Sequence, residues 1–275
     1  MATAEDLGDY LLKSGKVDRE EYIEKQTKAK KILKGEVDVE DNIEIDKIHH
    51  VPFSVAISVY KSDNPIFFDR ALNSITENQT ITPNEIVLVV DGSVSDSLNE
   101  VISKYENKYD IFKIIRLKKN GGLGNALKIA VENATFELIA RMDSDDVSLP
   151  TRFEEQLRYF QVNPEIDIVG GNITEFIGEE NNIIGQRLVP VSNEAIREYM
   201  KERCAMNHVS VMYKKTAVQN AGGYQDWFWN EDYYLWKIND GFGGWTDGID
   251  YDISSKGAFI KCKNVSWKIE VNFQE

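Results

Sequence analysis

The sequence predicts an α/β domain built on a largely parallel sheet with helices on both faces. Three observations carry this. Short, continuous apolar segments rich in β-branched residues alternate with amphipathic helical stretches, and the loops that follow the apolar segments are rich in Gly, Asp and Asn. Strands buried on both faces read as unbroken apolar runs, and crossover helices are what bury them. In order, Phe53 to Tyr60 reads as a strand, Pro65 to Asn78 as a helix, and Glu85 to Val90 as a strand ending at Asp91, Gly92 and Ser93. Asp96 to Tyr109 suits a second helix, Phe112 to Leu117 a third strand and Asn125 to Asn133 a third helix. Phe136 to Met142 is then a fourth strand, running into Asp143, Ser144, Asp145 and Asp146.

Ligands of such sheets sit beyond the carboxyl ends of the strands. That rule gathers Tyr60 to Asp63, Asp91 to Ser93, Lys118 to Gly124 and Asp143 to Asp146 along one rim. Carboxylates as close as these repel one another and call for a compensating positive charge. A hard divalent cation, Mg²⁺ or Mn²⁺, held by Asp143 and Asp145 and by substrate phosphates, is the simplest candidate; a solvated turn capping the next helix is the plain alternative. Asp91 can accept from a base N–H or a ribose hydroxyl, and Gly92 permits close backbone approach. Asn120, Gly121, Gly122, Leu123 and Gly124 form a glycine-rich turn into a helix, suited to an anion, but match neither a Walker loop nor GxGxxG.

Composition narrows the class. A chain of 275 residues with 42% hydrophobic content can bury a sizeable core. Its net charge of -14 argues against nucleic acid as a partner, so an anionic substrate must be received locally. Cys204 and Cys262 form no CxxC pattern, which suits a reducing compartment. With no signal peptide and no apolar run near 18 residues, the expectation is a cytoplasmic protein. Residues 1–50 differ in texture: a charged helix from Arg19 to Lys34 with one narrow apolar stripe, then an acidic segment. This is an appendage, for which docking or oligomerisation and a solvated extension are both open.

From Phe53 to about Gly171 the chain resembles a family 2 glycosyltransferase of the GT-A fold, in the bacterial branch that builds capsule, exopolysaccharide and lipopolysaccharide chains. The resemblance rests on Ser54 to Tyr60, Val89-Val90-Asp91-Gly92-Ser93, Asn120-Gly121-Gly122-Leu123 and Ala140-Arg141-Met142-Asp143-Ser144-Asp145-Asp146, followed by Leu149-Pro150 and Arg152 to Gln156. It resumes at His208 to Met212, Gly222-Gly223-Tyr224 and Glu231-Asp232-Tyr233-Tyr234-Leu235-Trp236. It implies a nucleotide-sugar-binding half over 51–150 and an acceptor-side half over 151–240. The implied reaction moves a sugar from a nucleotide-diphosphate sugar, UDP being the expected carrier, to a saccharide or lipid-linked saccharide, with inversion. Asp145 would be the main ligand of Mn²⁺ or Mg²⁺ with Asp143 assisting. Val59, Tyr60, Asp91, Gly92, Asn120, Gly121, Arg141 and Ser144 would complete the donor site. Asp232 would be the general base, with Glu231 second. Arg152, His208, Trp229 and Trp236 are candidates for contact with donor or acceptor sugar; for Arg152, which shares a helix face with Gln156, anchoring of the DxD loop is the other possibility.

The sequence departs from the family after Trp236. A glycine-rich segment and an alternating terminal strand, Val265, Trp267, Ile269, Val271 and Phe273, make residues 241–275 an atypical β-rich segment whose strand should be paired or covered. A peripheral contact at the inner face of the plasma membrane and a homo-oligomer stay open, as does a catalytically weak sugar-nucleotide-binding or scaffold protein of the same fold.

Overall fold

The computed structural model describes residues 51–200, 202–225, 235 and 262–272. The first strand, β1 (Phe53–Tyr60), leads into helix α1 (Pro65–Ile75), capped by the Asn64 side chain, which accepts from the Ile66 N–H, with Pro65 in the first turn where no donor is lost. Next come β2 (Glu85–Asp91), buried along its whole length, and α2 (Asp96–Lys108), capped by Ser95. Strand β3 (Phe112–Arg116) is followed by α3 (Leu123–Asn133), which starts two residues before its expected Asn125 because Gly122, at φ 85°, already turns the chain into the helix. α1 ends at Ile75 rather than Asn78, where Thr76 leaves helical geometry and its hydroxyl returns to the Leu72 carbonyl. β4 (Leu138–Met142) and α4 (Arg152–Val162) complete this half.

These four strands pair in parallel in the order β3-β2-β1-β4. Period-two alternation then sets the two faces. Ala56, Val87 and Val89 meet Ala126, Leu127 and Ala130 of α3 on one face, while the Phe53 ring lies 5.0 Å from that of Phe153 in α4 on the other. At the amino ends of the strands the buried Glu85 carboxylate takes bonds from the Ser54 hydroxyl and from the Thr135 N–H and hydroxyl. Burial opposes its charge most, but those donors outweigh it and hold Glu85 below its ordinary value.

Beyond β4 the sheet becomes mixed. β5 (Ile168–Phe176), β6 (Ile183–Arg187) and β7 (Met212–Lys214) are antiparallel, with β7 linking β4 to β5. α5 (Asn193–Tyr199), a single 3-10 turn at His208–Ser210 and α6 (Lys215–Asn220) fill the connections. The terminal strand expected from alternation exists: β8 (Cys262–Asn272) runs parallel to β5, so it is paired. Among the described residues no helix is long and apolar enough to cross a membrane. The expected appendage, 1–50, and the Gly-rich segment lie outside the described residues.

Candidate active site

The strand order reverses between β1 and β4, and the crevice beyond their carboxyl ends is where an α/β sheet receives a ligand. Ile57 pairs with Met142, so the two chains leave the sheet side by side. The β1 chain turns back on itself: the Asp63 N–H donates to the Tyr60 carbonyl at 3.2 Å, and the Asp63 carboxylate accepts from the Tyr60 N–H at 3.0 Å. Asp63 thereby joins Asp143 and Asp145. Burial, reinforced by Asp143, pushes the Asp63 carboxyl up from 3.8 to about 6, against the Tyr60 and Ser144 hydrogen bonds. Burial, then Asp143 and Asp63, pushes Asp145 from 3.8 to about 7. Asp63 falls on the rim expected from the sequence, and only the fold of its turn brings it to the pair.

The donor set fits a hard divalent cation. Among the described residues, Asp145 and Asp63 are crowded carboxylates that no cation holds in the ordinary carboxylate range; the influence of Arg141 on Asp145 is outweighed. Among the described residues no group of three or more His, Cys, Asp or Glu side chains is placed to hold a metal ion by itself. A cation here would therefore complete its shell with ligand and water oxygens, the usual habit of Mg²⁺ in phosphate sites.

Asp91, 4% exposed, holds the glycine turn. Its two carboxylate oxygens accept from the N–H groups of Gly121 (2.7 Å) and Gly122 (3.0 Å), and the Asn120 amide donates to it at 3.0 Å. A carboxylate accepts about four such bonds, so most of its capacity serves the turn, and the expected base or ribose contact has at most the remainder. Gly92 sits at φ 86°, and a Cβ there would stand 2.7 Å from the Asn120 nitrogen; glycine is what lets the two loops touch. Tyr60, 43% exposed, is available at the rim. Val59, its neighbour in β1, is buried in the sheet.

Three further residues of the expected site have their partners within the protein. Arg141 is 1% exposed and ion-paired to Asp143, so its guanidinium lies behind that carboxylate. Arg152, fully buried, donates to the main-chain carbonyls of Arg141 (2.6 Å) and Val211 (3.2 Å) and to Gln156 (3.2 Å). Gln156 in turn donates to the carbonyls of Val169 and Ser210. The Arg152 and Gln156 pair thus anchors the strand that delivers the aspartates, one of the two roles its helix face allowed. Burial and the neighbouring Arg141 push Arg152 down to about 9. His208 shares a 2.9 Å hydrogen bond with the Tyr224 hydroxyl, and burial, then Arg141, holds its imidazole well below 6.5. The residue is half-buried, and one of its ring nitrogens is engaged with Tyr224. Glu231, Asp232, Trp229 and Trp236 lie outside the described residues.

The DxD loop is also braced from outside. The Gln79 amide donates to the Ser74 and Leu149 carbonyls and to Ser148, its oxygen accepts from the Phe153 N–H, and the Ser74 hydroxyl accepts from the Ser148 N–H. The loop between β4 and α4 is thus fixed to the turn after α1, which no local pattern in residues 143–150 announced.

The family model "Glycosyl transferase family 2" matches residues 54–228. Among known proteins, the chain is 39% identical to the amylovoran biosynthesis glycosyltransferase AmsE of Erwinia amylovora over 184 residues, 67% of this chain and 68% of that protein. It is 36% identical to the UDP-Gal:alpha-D-GlcNAc-diphosphoundecaprenol beta-1,3-galactosyltransferase of Escherichia coli, over 67% of this chain and 66% of that one. Among solved structures, the mannosyltransferase PcManGT of Pyrobaculum calidifontis in complex with GDP-Man and Mn²⁺ superposes with a TM-score of 0.56 at 13% identity, covering 83% of this chain and 59% of that one. The chain therefore spans about three fifths of that structure's length, and the likeness establishes the GT-A fold. With that fold and a family match over most of its length, the chain belongs to glycosyl transferase family 2 and is a glycosyltransferase.

Proposed function

We propose that the protein transfers a sugar from a UDP-sugar to a hydroxyl of a growing cell-surface glycan or lipid-linked saccharide, with inversion and with the help of Mn²⁺ or Mg²⁺. The observation that carries this reading is the meeting of Asp63, Asp143 and Asp145 at the strand crossover, beside the glycine turn held by Asp91. The relatives support the acceptor class, one being named for amylovoran biosynthesis and one for a diphosphoundecaprenol-linked acceptor. A donor carried by UDP is supported by the second name, and a divalent cation by the Mn²⁺ bound to PcManGT.

Asp145, with Asp63 and Asp143 close by, would hold the cation, which offsets charge on the departing diphosphate. Tyr60 and the glycine turn would bind the nucleotide, and Asp232 would take the proton from the attacking hydroxyl, a poor nucleophile without such help. One displacement of this kind inverts the anomeric centre. A lipid-linked acceptor would place the enzyme in the cytoplasm, in peripheral contact with the inner face of the plasma membrane. Asp232→Asn should keep UDP binding in Mn²⁺ while sugar transfer falls by about two to four orders of magnitude. Transfer at the wild-type rate by that variant would remove Asp232 from the mechanism, and nucleotide binding without any transfer by the wild type would make the protein a binding module.

A further inference from the structure

The two outer aspartates of the DxD loop are not equivalent. Asp143 is ion-paired with Arg141, whereas Asp145, two residues on, is crowded by carboxylates. The Arg141 side chain is 1% exposed and that of Asp143 is 32% exposed, so the guanidinium stands behind the carboxylate and the carboxylate faces the crevice.

Two arginines lie buried here, and they spend their donors differently. Arg152 uses its fork on main-chain carbonyls, as a structural arginine does. Arg141 makes no such contact: its paired group is a rim carboxylate, and among the described residues its buried Nε has no hydrogen-bond acceptor. Leaving a guanidinium nitrogen buried and unsatisfied is costly, and such a cost is tolerated where it serves a site. Its backbone is held on both sides, the N–H by the Val211 carbonyl at 2.9 Å and the carbonyl by Arg152 at 2.6 Å. The guanidinium is therefore launched from a fixed point toward Asp143.

We propose that Arg141 is a positioning residue that fixes the orientation of the Asp143 carboxylate toward a bound nucleoside diphosphate. This rests on the donor-site reading given above. The protein answers the charge of Asp143 itself, so Asp143 serves as an oriented hydrogen-bond acceptor, while Asp145 and Asp63 are left to a cation from solution. An oriented acceptor binds more tightly than a free one because its ordering cost is met during folding.

The test is a double-mutant cycle on UDP affinity, measured by calorimetry in Mn²⁺ at a temperature where all variants are folded, with thermal unfolding of the same four proteins recorded without ligand. Arg141→Met and Asp143→Asn should each weaken UDP binding by about ten- to hundredfold, and the double variant should bind no worse than Asp143→Asn alone. A purely structural arginine would lower stability and leave the affinity of the folded protein unchanged, and that result overturns the proposal. So does a double variant whose loss is the product of the two single losses. Should Arg141→Met fail to fold, Arg141→Lys, which keeps the charge but not the planar fork, takes its place: a folded variant with UDP affinity weakened as in Asp143→Asn supports the proposal, and wild-type affinity overturns it. A wild-type protein that binds no UDP in Mn²⁺ overturns the donor-site reading, and this inference with it; a wild type that binds UDP with multiplying losses overturns the inference alone.

Discussion

At the scale of single residues, the carboxylates of the rim make a signed prediction about pH. Asp63 at about 6 and Asp145 at about 7 both lie above the ordinary 3.8, so their contribution to folding is fully present below that value and is lost as pH rises through 6 to 7. A divalent cation binds the deprotonated pair, so it should stabilise the protein more as pH rises over the same window. The Mn²⁺-induced rise in Tm should be small at pH 5 and largest near pH 8, and Asp145→Ala should abolish it together with Mn²⁺-dependent UDP binding. A rise that does not vary between pH 5 and 8 would remove these two residues from the cation site.

At the scale of elements, the site depends on how β4, the 3-10 turn and α4 are joined. Arg152 and Gln156 stand one helical turn apart on α4, and from one face they tie β4, β5 and the turn at His208–Ser210 together. Arg152→Met removes the donors from two buried carbonyls, a loss expected to cost about 2 to 4 kcal/mol. Urea unfolding should show a lower midpoint with an unchanged m-value; an unfolding free energy within about 0.5 kcal/mol of wild type would mean that water replaces the guanidinium there. The sequence showed that Arg152 and Gln156 share a helix face, but not that the face is the inner one. That depends on where β5 and the 3-10 turn come to rest, which is a matter of long-range packing.

At the scale of the whole molecule, the order β3-β2-β1-β4 makes four separate loops one site. A ligand that bridges those loops binds the native state alone and stabilises it by mass action. UDP with Mn²⁺ at about one hundred times its Kd should add about 2.7 kcal/mol, visible as a rise in Tm, and a panel of nucleotide sugars ranked in the same way would identify the donor. Equal shifts from UDP, GDP and inorganic diphosphate would show that the base is not read. The sequence by itself determined the first four strands, the helices between them and the glycine turn, because each is written in local periodicity and turn chemistry; the antiparallel strands β5 to β7 it did not announce. It determined the terminal strand in the same way, but not its partner, since alternation carries no information about which edge is free. The tertiary structure alone decided that Asp63 joins the aspartates, that Asp91 clamps the glycine turn, that Arg141 and Arg152 are buried beneath the rim, and that His208 pairs with Tyr224. Those outcomes depend on which residues burial and pairing bring together from distant parts of the chain, and a buried arginine and an exposed one are written with the same letter.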